Sequence, residues 1–163
     1  MPARCFAVPL RWSDMDAYGH VNNVQFVRLL EEARVALFDV PVPGAEQSML
    51  AAGVLVSRLE IEYLAPLVYR AEPIVVRMWV TRLSGAGFDL GYEVLDRVSL
   101  GVAGQGSPAV YARAETGMVL YDLAEGRPRR MSAQERRRLD ELMDEPVSFR
   151  RRPLASAAAP ATG

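Results

Sequence analysis

The sequence predicts an α+β fold in which a curved antiparallel β-sheet wraps around one long central α-helix. Two observations carry this prediction: a helical stripe of apolar residues over positions 24–38, and a later series of stretches in which apolar and polar residues alternate. Successive strands joined by short turns run antiparallel, and a half-polar face on each strand means that only the other face is covered. The helix is the only predicted element large enough to cover that face.

The long helix is predicted from apolar residues that recur at spacings of three and four. They are Phe26, Val27, Leu30, Ala33, Leu37 and Phe38, and mostly charged or amide residues occupy the other side. Asn22 and Asn23 stand immediately before this stripe and are good N-cap residues. Pro41 and Pro43 end the helical pattern, because proline disfavours helical backbone at the residue before it.

Four strands are predicted after the helix from alternation with a period of two. They lie over residues 58–63, 74–80, 88–94 and 110–121. The Gly-Ala-Gly sequence at 85–87, between the second and third of these strands, is typical of a hairpin turn. A short strand over residues 6–12 precedes the helix, so the predicted order is one strand, the helix and then four strands.

The remaining segments set the predicted limits of the domain. Ser132 and Glu135 fit a capping box that opens a short helix extending to about Met143. The glycine-rich segment 98–108 predicts a mobile loop between strands. We expect one domain over residues 1–145 and a disordered tail over residues 146–163, because arginine, proline, alanine and serine dominate beyond Arg150.

Composition excludes several classes of function. The 19 basic and 20 acidic residues give a net charge of −1, so the chain carries no excess of positive charge that would attract nucleic acid or an anionic membrane. Without lysine, neither a Schiff base nor a Walker-type phosphate loop can form. The single Cys5 and single His20 exclude an intramolecular disulfide and metal sites that need two imidazoles. With no long apolar run and no secretion signal, we expect a soluble cytoplasmic protein without a membrane span.

The densest polar cluster covers residues 14–23, between the first strand and the helix. Unpaired N–H groups in the first turn of a helix carry partial positive charge and can hold a developing oxyanion. A carboxylate a few residues upstream can reach the same pocket as a base or a nucleophile. Because Gly19 also allows a sharp turn, this segment is where the sequence favours reactivity.

Each of these residues also has a purely structural interpretation. Asparagines such as Asn22 and Asn23 before a helix are usually caps, and an aspartate such as Asp14 can simply cap a turn. A lone histidine near a helix start is more often a hydrogen-bonded structural residue than a catalytic one. Singly, none of these residues identifies an enzyme, but the ordered string is much more specific.

That ordered string resembles the signature of hotdog-fold acyl thioesterases. Its specific part is Arg11-Trp12-Ser13-Asp14-Met15-Asp16, followed by Gly19-His20-Val21-Asn22-Asn23 and Phe26. Further along, Glu60-Ile61-Glu62-Tyr63-Leu64-Ala65-Pro66-Leu67 is similar to the family's strand that ends in a Tyr-x-x-Pro-Leu corner. The resemblance covers about residues 5–125. It is closest to the 4-hydroxybenzoyl-CoA thioesterase-like and bacterial acyl-CoA thioesterase branch, and the chain is also similar to plant acyl-ACP thioesterases.

The resemblance implies a hotdog fold and hydrolysis of an acyl thioester. Asp16 matches the family's catalytic carboxylate, and the backbone N–H of Asn23 matches the donor that polarises the thioester carbonyl. His20 matches a histidine that belongs to the site in the acyl-ACP branch, whereas the 4-hydroxybenzoyl-CoA enzyme has an apolar residue there. Whether Asp16 attacks the carbonyl carbon or activates water stays open.

The resemblance also implies how the substrate is held. Expected substrate-binding residues are Tyr18, Gly19, Val21, Asn22 and Arg82, and Tyr18 replaces a small or amide residue of the relatives. Coenzyme A enters as part of the substrate, with no metal or redox cofactor, and Arg82, Arg129 and Arg130 are candidates to bind its phosphates. The acyl carrier is either coenzyme A or acyl carrier protein.

We expect a homodimer or a homotetramer, because a single hotdog sheet leaves one edge unpaired and pairing across a two-fold axis removes that exposed edge. The apolar acyl pocket would then be shared between subunits. Glu31 and Glu32 lie well into the helix, where a glutamate-using branch of the fold keeps its base. Since Asp16 is available, we interpret both glutamates as a solvated or inter-subunit face.

Two other classes of function compete with a thioesterase. A hotdog-fold hydratase or dehydratase would use an Asp and a His with an intervening Asn-Pro, whereas this chain has Ala17-Tyr18-Gly19 in the equivalent stretch. A non-catalytic acyl-thioester binding module is the second alternative, since a fold does not fix a function. The intact Asp16 and helix-start motif favour the enzyme.

Overall fold

The structure is a computed structural model that describes residues 3–96 and 109–150. Its strands are β1 (Arg4–Val8), β2 (Val54–Tyr63), β3 (Ile74–Leu83), β4 (Gly87–Leu95), β5 (Val110–Asp122) and β6 (Arg127–Pro128). Its helices are α1 (Asn23–Phe38), α2 (Met49–Ala52) and α3 (Ala133–Asp140), with one 3₁₀ turn at Trp12–Asp14. The predicted loop at 98–108 and the tail beyond residue 150 lie outside the described residues. None of the described helices has the length and apolar character needed to cross a membrane.

The strands form one antiparallel sheet in the order β1-β3-β4-β5-β2, and the short β6 adds to β5. The strand register aligns four residues in one row across the sheet. Tyr63 of β2 pairs with Ala112 of β5, Ala112 also pairs with Val94 of β4, and Val94 pairs with Val76 of β3. The long strand β2 is an edge strand, with a register irregularity between Val56 and Arg58. The sheet curls around α1, which confirms the predicted α+β hotdog architecture.

Helix α1 fills the concave face of the sheet. Its buried side chains are Phe26, Leu29, Leu30, Ala33, Arg34, Leu37 and Phe38, close to the predicted apolar stripe. They pack against inward-facing residues such as Met78, Leu90 and Ala114, all of which are at most 1% exposed. Because period-two alternation puts every second strand residue on this face, the helix and the sheet share one core.

Several element boundaries differ from the prediction. Strand β1 ends at Val8 because Pro9 has no N–H to donate to the ladder, and Trp12–Asp14 forms a 3₁₀ turn instead of strand. Strand β2 begins four residues earlier than predicted, at Val54. The alternation of apolar and polar residues is absent there, because apolar residues such as Leu55 and Val56 occupy consecutive, partly exposed positions. The capping box of α3 is present as predicted, but that helix ends at Asp140.

The chain after α3 crosses the outer face of the sheet. Trp79 donates from its indole Nε1 to the Glu145 carbonyl at 2.7 Å. Val147 and Phe149 are buried beside the same indole, forming a second, smaller apolar cluster. Val147 and Phe149, which lie in the predicted tail, are therefore packed against the sheet.

Candidate active site

The loop before α1 folds tightly around the Asp16 carboxylate. The Asp16 N–H donates to the His20 carbonyl at 2.8 Å, and the Gly19 N–H donates to the Asp16 carbonyl at 3.1 Å. Gly19 has φ +74°, a left-handed conformation that glycine adopts at little cost. Asp16 Oδ1 accepts from the N–H groups of Tyr18 at 2.8 Å and His20 at 3.4 Å. One carboxylate oxygen is thus held by backbone donors while the side chain stays partly exposed.

Asp14 anchors this loop to the helix. Its side chain is buried, and Oδ2 accepts from the Arg11 N–H at 2.8 Å and from the Arg28 guanidinium at 2.6 Å. The Asp14 carbonyl accepts from the Asn22 N–H at 2.9 Å, and Arg28 also binds Glu32. The first aspartate of the pair is therefore structural, whereas the second is available to a ligand.

The first turn of α1 presents an unused donor. Asn22 is the N-cap, and its Oδ1 accepts from the Val24 N–H at 3.0 Å. Asn23 is the first residue of the helix, so its N–H has no partner within the helix. No other group in the described parts of the chain accepts a hydrogen bond from the Asn23 N–H. This N–H lies at the end of the helix that carries partial positive charge.

These groups meet at an open cavity of about 390 Å³. Its lining residues are Asp16, His20, Val21, Asn23, Phe26, Tyr63, Leu64, Ala65, Pro66 and Leu67. The Val21 N–H donates to the Leu67 carbonyl at 2.7 Å, which fastens the loop before α1 to the segment after β2. Asp16, His20 and Asn23 therefore line the same cavity, together with apolar residues such as Phe26 and Leu64.

Several predicted substrate-binding residues do not line this cavity. Tyr18 is 85% exposed, and Gly19 and Asn22 shape the loop through their hydrogen bonds. Arg82 lies toward the opposite end of β3 from the cavity, where its Nε donates to Asp89 at 2.7 Å. The geometry of one chain therefore does not bring Arg82 to Asp16.

The other predicted phosphate-binding arginines are also outside the cavity. Arg129 makes two hydrogen bonds to Glu135, at 2.7 and 2.9 Å, and Arg130 is exposed. Glu31 is exposed and Glu32 pairs with Arg28, so neither glutamate lines the cavity. Across the described residues, no three His, Cys, Asp or Glu side chains converge as a metal site.

Sequence reasoning assigned no site role to Tyr63 or Phe26, yet both line the cavity. Their rings meet edge to face, with centroids 5.3 Å apart. The Tyr63 hydroxyl donates to the Asn23 carbonyl at 3.1 Å. Burial raises the pKa of Tyr63 above its ordinary value of 10.0, although the side chain of Asn23 acts in the opposite direction. The signal for Tyr63 is present in the sequence, because this residue begins the Tyr-x-x-Pro-Leu corner that supports the family resemblance.

Comparisons with known proteins agree with this architecture. A model of the thioesterase-like superfamily matches residues 10–145. A candidate thioesterase from Pseudomonas aeruginosa is 31% identical, with a TM-score of 0.64, over 82% of this chain and 95% of that one. A Thermus thermophilus thioesterase complexed with coenzyme A and zinc is 23% identical, with a TM-score of 0.67, over 90% of this chain and 97% of that one. None of the curated proteins matches the sequence.

The similarity extends over nearly the whole described domain. A predicted thioesterase from Bacillus stearothermophilus, 19% identical, superposes with a TM-score of 0.70 over 89% of this chain and 99% of that one. The superfamily match spans both the loop that holds Asp16 and the β2 end that carries Tyr63. The chain therefore belongs to the thioesterase-like superfamily and is a thioester hydrolase with the hotdog fold.

Proposed function

We propose that the protein hydrolyses an acyl-CoA thioester to the free acid and coenzyme A, with Asp16 as base or nucleophile and the Asn23 N–H as oxyanion donor. One observation carries this proposal: Asp16 and Asn23, whose N–H has no acceptor among the described residues, line the same cavity. A carboxylate beside an oriented donor is the arrangement that acyl transfer requires, because negative charge develops on the carbonyl oxygen in the transition state.

The chemistry balances by either of two routes. In the first, Asp16 takes a proton from water as the water oxygen bonds to the acyl carbon; the intermediate expels the thiolate, which receives that proton. In the second, an Asp16 carboxylate oxygen bonds to the acyl carbon and expels the thiolate. Water then hydrolyses the mixed anhydride, which releases the acid, regenerates the Asp16 carboxylate and supplies the proton that the thiolate takes up. Both routes place the carbonyl oxygen at the helix N-terminus, where the Asn23 N–H stabilises it.

The central test is Asp16→Asn, assayed by thiol release against straight-chain acyl-CoAs from acetyl to palmitoyl and benzoyl-CoA. Loss of a general base or nucleophile should lower turnover by at least roughly a hundredfold. Glu31→Gln is the matched control, because Glu31 is an exposed carboxylate on α1 outside the cavity and should keep wild-type turnover. Near-wild-type turnover of Asp16→Asn on a substrate that the wild type hydrolyses would remove Asp16 from the mechanism.

The same thiol-release assay tests whether the acyl group is carried by coenzyme A or by acyl carrier protein. Acyl groups presented on acyl carrier protein are compared with the same groups on coenzyme A, and we expect coenzyme A to give the higher kcat/KM. No arginine lines the cavity of the single chain as described, so the phosphate contacts proposed for Arg82, Arg129 and Arg130 need a neighbouring subunit. Arg82→Gln should then raise KM for acyl-CoA and leave kcat unchanged.

We also propose that two copies pair along β2. This strand has ten residues and no described partner on its outer edge, and its Leu55, Val56, Leu59 and Tyr63 are between 37% and 47% exposed. A long apolar edge strand is prone to pair with another strand, and a two-fold axis closes such a contact. The cavity lies at the Tyr63 end of β2, so a second copy paired along this strand would also lie beside the cavity.

Oligomeric state is measured by light scattering coupled to size-exclusion chromatography at micromolar concentration. A mass at least twice the 18.0 kDa of the chain is expected. Leu59→Arg, which places a charge at a partly exposed apolar position of the edge strand, should shift the protein toward the monomer. A wild-type mass of one chain would overturn the proposed pairing.

A further inference from the structure

We propose that Tyr63 is a positioning residue for the oxyanion donor: its hydroxyl holds the first turn of α1 in the orientation that keeps the Asn23 N–H directed to the substrate carbonyl. This inference rests on the proposed hydrolysis and adds a residue from β2 to the proposed catalytic groups, which otherwise come from the loop before α1 and from its first residue. Tyr63 acts through the helix backbone and takes no part in proton transfer.

The peptide unit between Asn23 and Val24 is held at both of its polar atoms. Its carbonyl oxygen, on Asn23, accepts from the Tyr63 hydroxyl at 3.1 Å. Its N–H, on Val24, donates to the Asn22 side chain at 3.0 Å. The Asn23 N–H belongs to the preceding peptide unit and has no acceptor among the residues described, so its direction depends on the neighbouring unit being fixed.

The anchor that Tyr63 provides is rigid. Tyr63 is the last residue of β2 and is paired with Ala112 of β5, so its backbone is part of the sheet. Its ring packs edge to face on Phe26 at an interplanar angle of 78°. Helix ends fray more readily than helix centres, and a hydrogen bond from a sheet residue opposes that motion. A donor fixed before the reaction costs no reorganisation when charge develops on the substrate.

Tyr63→Phe tests this role because it keeps the ring packing and removes only the hydroxyl. We expect kcat to fall roughly threefold to tenfold, the range that corresponds to one net hydrogen bond. KM should stay within about twofold, because the oxyanion interaction is made in the transition state. The assay is thiol release with the acyl-CoA of the panel that gives the highest wild-type kcat/KM.

Tyr121→Phe is the matched control. Tyr121 also donates its hydroxyl to a backbone carbonyl, that of Gly126 at 2.5 Å, but it does not line the cavity. The two variants therefore lose the same type of hydrogen bond, and both should melt close to the wild type. Only Tyr63→Phe should lose kcat. A kcat loss of equal size in both variants would make the effect a general stability effect and overturn the inference.

A second measurement keeps the inference testable without turnover. Amide hydrogen exchange of ¹⁵N-labelled protein should show faster exchange of the Val24 N–H in Tyr63→Phe than in the wild type or in Tyr121→Phe. Unchanged exchange at Val24 overturns the inference, whatever the activity. If the wild type hydrolyses acyl-CoA and Tyr63→Phe keeps its kcat, the inference fails and the proposed function stands. If the wild type hydrolyses nothing in the panel, the proposed function fails and the exchange measurement decides the role of Tyr63.

Discussion

Replacing Asp14 by alanine removes the buried anchor of the loop that carries Asp16. The Asp14 side chain is 3% exposed, and its Oδ2 accepts from the Arg28 guanidinium at 2.6 Å and from the Arg11 N–H at 2.8 Å. Both contacts are lost in Asp14→Ala, and the Arg11 N–H loses its carboxylate acceptor. The variant should therefore be less stable and should also hold Asp16 less well.

The size of the effect follows from what remains around Arg28. Removing one member of a buried ion pair costs about 3–5 kcal/mol when the other charge is left uncompensated. Arg28 keeps Glu32 and the Gln25 side chain and is 20% exposed, so its charge is still partly paired. The lost hydrogen bond to the Arg11 N–H adds about 1 kcal/mol. We expect a total loss of about 2–4 kcal/mol, which lowers Tm by about 5–15 °C in a domain of this size.

The assay is thermal unfolding followed by circular dichroism at pH 7, with Glu125→Ala as the control. Glu125 pairs with Arg127 at 3.3 Å, but both side chains are more than half exposed. Such a surface pair contributes at most about 1 kcal/mol, so the control should melt within about 3 °C of the wild type. Asp14→Ala melting within that same range would refute the reasoning that Asp14 anchors the loop.

Three further predictions follow from other parts of the structure. His20→Ala should lower turnover by roughly tenfold to a hundredfold without lowering Tm, because the backbone of His20 makes the bonds to Asp16; a lower Tm with unchanged turnover would make His20 a scaffold residue. Burial of Glu135 raises the pKa of its carboxyl group, but the hydrogen bonds from Arg129 and Ser132 outweigh burial and lower that pKa below 4.5. The ionised carboxylate therefore stabilises the fold above pH 4.5, and this stabilisation is lost as the pH falls through the lowered pKa. In urea unfolding, Glu135→Gln should be less stable than the wild type at pH 7 and approach it at pH 3, and a pH-independent difference would contradict this. Gly91→Ala would place a Cβ 2.7 Å from Trp79, which should cost about 1–3 kcal/mol with no change in kcat, and an unchanged Tm would show that Trp79 moves freely.

Local patterns were enough to predict α1, α3 and five of the six strands, but not the short elements α2 and β6. The stripe of α1 and the alternation of β3, β4 and β5 both come from burial of one face, which sequence periodicity records directly. The alternation failed where burial is incomplete, in the first half of the edge strand β2. The loop from Asp14 to Asn23 could be recognised because its residues are close in sequence and its turn and cap chemistry is local.

The sequence by itself determined the α+β class, the central helix and the string that places Asp16, His20 and Asn23 near a helix start. Only the tertiary structure decided which residues from other elements line the cavity beside these three. Antiparallel pairing brings Tyr63, 40 residues after Asn23, onto the first turn of α1, and no local pattern records that contact. The same pairing carries Arg82 away, because eight residues of extended strand from Ile74 span about 26 Å. Spacing along the chain specifies local geometry, but which distant side chains share a cavity depends on strand register and direction.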